Sequence, residues 1–324
     1  MELDYFVVDV FTDTALAGNP LAVVMITVDL TTERMQAIAR EFNLSETTFV
    51  ERGAAEVERA EGVRVRIFTT QEELNFAGHP TLGTASVLKL EAPETVQDET
   101  VTLKLNVGAV PVRFSSLPGD AAPGSPGSLF GEMTQRDPEF GEELDPQEVA
   151  RMTGLALDDL DPAFPPQTVS TGTAFAIVAL RSAEALARLR VIQQEATPWL
   201  RERGARWFYV LGPTLGQRDG HTPEYRARMQ FNGGEDPATG SAAGCAISYL
   251  VHRAAVASGQ RIHLRQGVEI GRTSDLYLSA RVDSARVTDV RVAGSTVLVA
   301  KGRLFLPVCT SFQQEFIIAS CDMC

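Results

Sequence analysis

His79-Pro80-Thr81-Leu82-Gly83-Thr84-Ala85 and Asp236-Pro237-Ala238-Thr239-Gly240-Ser241-Ala242 are two copies of one pattern. Each has an ionisable residue, a proline, two further residues, then glycine, a hydroxyl residue and alanine. The copies lie 157 positions apart (236 − 79), close to half of the 324-residue chain. Each opens a run of small and apolar residues, 80–90 and 238–252, that reads as a helix buried on most sides. A pattern repeated at this distance predicts two related lobes, each presenting a helix N-terminus to one shared site. Strand-like segments surround both helices. Val63, Val65 and Ile67 alternate with Arg64 and Arg66 before the first copy, and 173–180, 206–211, 268–278, 285–292 and 296–306 read as strands in the second half. The fold expected is α+β, with two pseudo-symmetric lobes.

Composition narrows the function. Hydrophobic residues at 44% and charged residues at 22% fit a globular chain long enough for about two domains. The net charge of −13 disfavours nucleic acid and anionic membrane surfaces as partners. The first eleven residues carry Glu2, Asp4 and Asp9 and lack a secretory pattern, and no apolar run reaches the about 18 residues of a membrane span. With four cysteines only, a reducing cytoplasm is expected. Cys321 and Cys324 have redox-type spacing but no βαβ context, and read as part of an exposed tail. The Pro/Gly/Ser-rich stretch 115–128 is the best linker. The divisions expected are 1–120, 121–306 and a tail, 307–324, of strand plus disordered end that returns to the first lobe.

The chemistry is read from the two helix starts. Proline is favoured at the first helical position, which makes Asp236 a natural N-cap and puts His79 in the equivalent place. Free N–H groups and the positive end of the helix dipole bind carboxylate or phosphate there. Small residues, Gly83 and Gly240 among them, let a ligand approach. The plainer alternative is that Asp236 only caps and the glycines only pack, but a capping role does not explain a histidine in one copy. The other histidines, His221, His252 and His263, lack partner motifs. Glu46, in Asn43-Leu44-Ser45-Glu46-Thr47-Thr48, lies between a helix and a strand. Partial burial would raise its pKa and suit it to general acid or base work, whereas on the surface it would be an ordinary glutamate. Nucleophile-elbow, Walker, dinucleotide and metal-ligand patterns are absent from the sequence, which leaves acid–base chemistry with no metal or cofactor expected.

Several segments together resemble the phenazine-biosynthesis PhzF-like isomerases, of the diaminopimelate epimerase-like fold. They are VDVFTDTALAGNPLAVV (8–24), NLSETTFV (43–50), RIFTTQEELNFAGHPTLGTA (66–85) and EDPATGSAAGCAISYL (235–250), with weaker matches at STG (170–172) and QGVEIGR (266–272). The resemblance implies two lobes, each a mixed sheet wrapped around a central helix, with the active site between them. It also implies cofactor-independent proton shuttling and a homodimer. By the same resemblance Glu46 is the main acid/base and His79, Asp236 and Ser241 line the site. The backbone around Gly78 and Gly240 would hold a substrate carboxylate, and Asn19 approaches the cleft. Thr70-Gln71 and the short loop 230–234 depart from the family pattern, so substrate identity does not carry over. Thiol-based racemisation is disfavoured, because Cys245 sits two turns into the second helix and reads as packing.

The function expected is therefore an isomerase that moves a proton on a small anionic, carboxylate-bearing metabolite. The alternatives are a two-base racemase using Glu46 and Asp236, and a non-catalytic metabolite-binding protein.

Overall fold

The computed structural model describes residues 1–116, 127–214 and 222–307. The expected division at residue 120, most of the linker stretch, His221 and Cys309, Cys321 and Cys324 lie outside the described residues. The first half contributes β1 (Glu2–Val10), β2 (Asn19–Ile26), α1 (Thr32–Phe42), β3 (Glu46–Glu51), α2 (Ala55–Glu61), β4 (Val63–Phe68), β5 (Glu73–Leu74), α3 (Gly78–Glu91), β6 (Thr100–Leu105) and β7 (Gly108–Ser115). There follow β8 (Leu129–Thr134), β9 (Glu139–Glu143), α4 (Pro146–Thr153), β10 (Gln167–Ser170), β11 (Ala174–Ala179), α5 (Gln193–Glu202), β12 (Trp207–Pro213) and β13 (Glu224–Arg228). The last elements are β14 (Gln230–Phe231), β15 (Gly234–Glu235), α6 (Gly240–His252), β16 (Ile262–Gln266), β17 (Ser274–Asp283) and β18 (Arg286–Phe305). The architecture is α+β.

One mixed sheet links almost all the strands. Hydrogen bonding runs β1-β2-β3-β4-β6-β7-β8-β18, and β18 pairs back with β1, so this part closes on itself. From β18 the sheet continues β17-β16-β13-β12-β11-β10-β9. The 20-residue β18 makes this continuity possible: 286–293 pair with β17, 291–296 with β8 and 296–305 with β1. Leu306 and Met1 exchange backbone hydrogen bonds beyond the last pair.

α3 packs against β1, β2, β3, β6, β7, β8 and β18, and α6 against β10, β11, β12, β17 and β18. A helix surrounded by strands has no face for charge, which explains its composition. Every α3 residue from Gly78 to Leu88 is buried. Its hydroxyls are satisfied at short range: Ser86 Oγ donates to Leu82 O at 2.9 Å, and Thr84 Oγ1 lies 2.8 Å from Thr48 Oγ1 of β3. One apolar cluster runs from Val8 of β1 through Leu82 of α3 to Ile247 of α6. Each fully buried Leu or Ile in it contributes about 1.5–3 kcal/mol. Smaller clusters lie under α1 and under α4 and α5.

The strand expected over 268–278 is not one strand. Gly267 and Gly271 take left-handed φ values of 75° and 71°, folding 268–270 into a 3-10 turn before β17. Conversely, the strands expected at 285–292 and 296–306 are a single element, β18. The helix expected over 183–189 is a 3-10 segment at 183–188.

A Cβ on Gly267 would lie 2.3 Å from Arg272 O and 2.8 Å from Pro237 O, both backbone atoms. Gly267→Ala adds that clash to an unfavourable φ, with an expected cost of about 1–3 kcal/mol. Urea unfolding checks this, and an unchanged midpoint would contradict it.

Candidate active site

The first turns of α3 and α6 touch through backbone. A Cβ on Gly78 would lie 3.1 Å from Gly240 Cα and from Ser241 N, a tight fit that any larger residue could make only by pushing the two helix starts apart. Phe11, at a positive φ of 62°, seals the contact from beneath. Its Cζ lies 3.1 Å from the position a Gly240 Cβ would take, and its Cδ1 2.5 Å from that of Gly294.

The duplicated pattern sits in a different phase on the two helices. α3 starts at Gly78 after Ala77, so His79 and Pro80 lie inside its first turn. α6 starts at Gly240 after Thr239, so Asp236 and Pro237 precede it. Asp236 is thus not an N-cap, contrary to the sequence expectation, and neither proline takes the first helical position. Side-chain bonding sets the shift. Thr239 Oγ1 donates to Asp236 Oδ2 at 2.6 Å instead of capping α6. Buried Gln266 holds the turn between them. Its Oε1 accepts from Thr239 N (3.1 Å) and Tyr209 OH (2.9 Å), and its Nε2 donates to Asp236 O (2.8 Å) and Thr239 Oγ1 (3.0 Å). Neither helix has a side-chain cap at its N-terminus. The N–H groups of Gly240, Ser241 and Ala242 are accordingly left without intrahelical partners.

Glu46 reaches the site because α1 stops at Asn43. That residue turns the chain through a left-handed φ of 50°, and β3 begins three residues later. Glu46 Oε2 lies 3.4 Å from His79 Nε2, which has no aligned hydrogen bond. His79 Nδ1 lies 3.3 Å from Asn19 Nδ2, whose two N–H groups donate to Asp236 Oδ1 (2.8 Å) and Ala238 O (2.9 Å). One asparagine thus ties the histidine to the aspartate. Arg272 holds the segment before Asn19, donating to Ala17 O, Gly18 O and Asp9 Oδ1 at 2.7, 2.8 and 2.7 Å.

The three groups titrate far from their ordinary values. Burial pushes Glu46 up to about 8, with the charge of Asp236 adding and that of Arg206 opposing. Burial also pushes Asp236 up, but hydrogen bonds from Thr239 and Asn19 limit the rise to about 6. Burial lowers His79 to about 3, so its imidazole is neutral at pH 7. At that pH the pair of carboxyls holds mainly one proton.

A cavity of about 1240 Å³ opens over these groups. Glu46, Asp236 and Ser241 stand in its wall. His79, 5% exposed, and Asn19, fully buried, lie behind them. Gly78 and Gly240 form the helix contact described above. Gly83 is a correction: its missing Cβ is filled by Leu21 Cδ2 (2.6 Å) and Val10 Cγ2 (2.7 Å), so it packs α3 against the sheet and does not face the cavity. Sequence reasoning did not single out Gln135, Gln266 or Arg206. Gln135 Nε2 donates to Gly240 O at 2.8 Å, and its Oε1 accepts from Thr171 Oγ1 at 2.7 Å. Thr171 and Gln266 fall in the weak STG and QGVEIGR matches; Gln135 and Arg206 had no signal. His252 stacks on Phe140, His263 pairs with Asp275, and Cys245 is buried, all outside the cavity wall.

The phenazine biosynthesis-like protein family model matches residues 8–302. The chain belongs to this family. It is 36% identical to an uncharacterised isomerase of Mesorhizobium japonicum over 94% of this chain and 99% of that one. It is 34% identical to the trans-2,3-dihydro-3-hydroxyanthranilate isomerase of Pseudomonas aeruginosa, over 93% and 99%. A PhzF-family protein of Bacillus anthracis shares the fold with a TM-score of 0.80, at 24% identity and covering 94% of this chain and 100% of that one. This member of the family is an isomerase. Among the described residues no helix is long and apolar enough to cross a membrane.

Removing the Thr239 hydroxyl takes away a donor that favours the Asp236 carboxylate. Thr239→Val is therefore expected to raise the Asp236 pKa by about 1–2 units, the size of one hydrogen bond to a charged group. Carboxyl carbon NMR against pH measures this, and an unmoved titration would show that the bond does not hold the charge.

Proposed function

We propose that the protein is a cofactor-independent isomerase that moves a proton on a small carboxylate-bearing metabolite, with Glu46 as the acid/base. The observation that carries this is the Glu46 carboxyl in the cavity wall, backed by neutral His79 at 3.4 Å and poised near pH 8. A base titrating close to the working pH both accepts and returns a proton readily. Ionised Glu46 takes a proton from a substrate carbon, and the electron pair moves into the neighbouring unsaturated group. Protonated Glu46, which exchanges its proton with solvent, then delivers a proton to another carbon and is left ionised again. The uncapped N–H groups of α6, beside the start of α3, hold the substrate carboxylate and the developing charge. His79 touches Glu46 and not the cavity, which gives it a positioning role. The two halves are read as duplicated lobes, since each supplies one of the two helix ends that meet.

In heavy water, solvent deuterium should enter the product, and Glu46→Gln should lose at least about 1000-fold in kcat while still binding ligand. The relative's substrate, trans-2,3-dihydro-3-hydroxyanthranilate, is the first compound to assay. Full turnover by Glu46→Gln would sink the assignment, and saturable binding without exchange would indicate a non-catalytic binder.

A second reading, two-base racemisation by Glu46 and Asp236, draws support from the charge coupling between these residues. The pH profile separates the two. A sole Glu46 base gives kcat/KM rising through about pH 8. A dyad needing one base and one acid gives a bell with limbs near 6 and 8.

The same shift has a stability consequence. The folded pKa of Glu46, about 8, exceeds its ordinary value of 4.5, so the folded state binds the proton more tightly. Its contribution is full below about pH 4.5 and is lost as pH rises through 8. Glu46→Gln should therefore gain roughly 1–3 kcal/mol relative to the parent between pH 4.5 and pH 8.5. Urea unfolding at the two pH values tests this, and a constant difference would contradict it.

A further inference from the structure

We infer that Arg206 is the anchor for a second anionic group on the substrate, and that Glu72 occupies this anchor until the substrate arrives. The inference rests on the isomerase reading and narrows its substrate to a dianion. Arg206 and Glu72 both stand in the wall of the cavity that holds Glu46 and Asp236. They come from opposite halves of the chain, Glu72 from the turn between β4 and β5 and Arg206 from the residue before β12. They meet with Nη2 and Oε1 3.1 Å apart.

Three features mark this arginine as a ligand site. Its guanidinium lies 4.3 Å over the Trp207 ring, a stacking that orients its plane while Nη2 donates to Glu72. Its partner is weakly held, the two side chains being 48% and 60% exposed, and an exposed pair of this kind contributes little to stability. A substrate anion can therefore displace Glu72 at small cost and gain a bidentate contact. The neighbouring acid, Glu73, is not free to compete, because Arg66 holds both its oxygens. The Arg206 charge also acts on Glu46, favouring its ionised form. An anion seated on Arg206 weakens that influence, so the bound group and the base are electrically linked. Trp207 and Phe231 in the same wall suit a flat ring between the two anchors.

The alternative is that Glu72–Arg206 only straps the two walls together. The two ideas predict different signs. Isothermal titration would compare benzoate with the three benzenedicarboxylates on the full-length protein, the parent and the Arg206→Gln and Glu72→Gln variants. The expected result is at least tenfold tighter binding of one dicarboxylate than of benzoate by the parent. Arg206→Gln should abolish that margin, and Glu72→Gln, which frees the arginine, should widen it about threefold. A parent margin under tenfold, a margin surviving Arg206→Gln, or variants shifting the same way would overturn the inference. Thermal unfolding of both variants confirms that they are folded. Binding is read without turnover, so this result and the deuterium result can fail separately.

Discussion

The structure is organised by a contact between two glycines. Where Gly78 meets Gly240, two helix N-termini lie side by side with no side chain between them. Each helix end carries a partial positive charge of about half a unit, so like poles are held together. Such a pairing is unfavourable by itself, and it is imposed by the sheet that surrounds both helices. The local answer to it is negative charge. Asp236 stands beside the junction as a carboxylate, and no side chain caps the start of α6.

The two acids differ because their partners differ. Asp236 receives bonds from Thr239 and Asn19, and these preserve its charged form against burial. Glu46 receives no such bond and faces a neutral imidazole across 3.4 Å. The two carboxyls, supplied by different halves of the chain, are thereby pushed apart in acidity. That separation suits two carboxyls to unequal work. Asn19 is the element common to both environments, since one amide reaches His79 and Asp236 together.

Much of this was legible in the sequence. The α+β class, the two buried helices and the positions of His79 and Asp236 at their starts follow from small-residue runs, strand periodicity and the repeated pattern, whereas Glu46 was assigned as the acid/base by the resemblance of 43–50 to the family. The phase difference between the repeats was not legible. It depends on Gln266 and Thr239 bonding the turn before α6, and a heptamer says nothing of a glutamine 26 residues beyond Gly240 (266 − 240). Gly83 and Gly240 look alike in the pattern, yet one packs against Leu21 and Val10 and the other meets a second helix. Only the position of surrounding side chains separates them. Arg206 carries no motif because its pairing with Glu72 in the cavity wall joins residues 134 positions apart. The 3-10 turn at 268–270 was hidden for a simpler reason: Val268, Ile270 and the residues of β17 continue the alternation of a strand through two glycines that break it.

β18 has a bearing on how the chain folds. Its last ten residues, 296–305, close the barrel on β1 at the opposite end of the sequence. One edge of β1 is covered by the neighbouring β2, and the other only by a strand far along the chain, 286 residues on where Val10 pairs with Thr296 (296 − 10). Contacts this distant in sequence are formed late and slowly, and an open edge invites wrong pairing meanwhile. The closure also draws charges together: Arg303 near the end of β18 meets both Glu2 at 3.1 Å and Asp4 at 3.3 Å on the exposed face of β1.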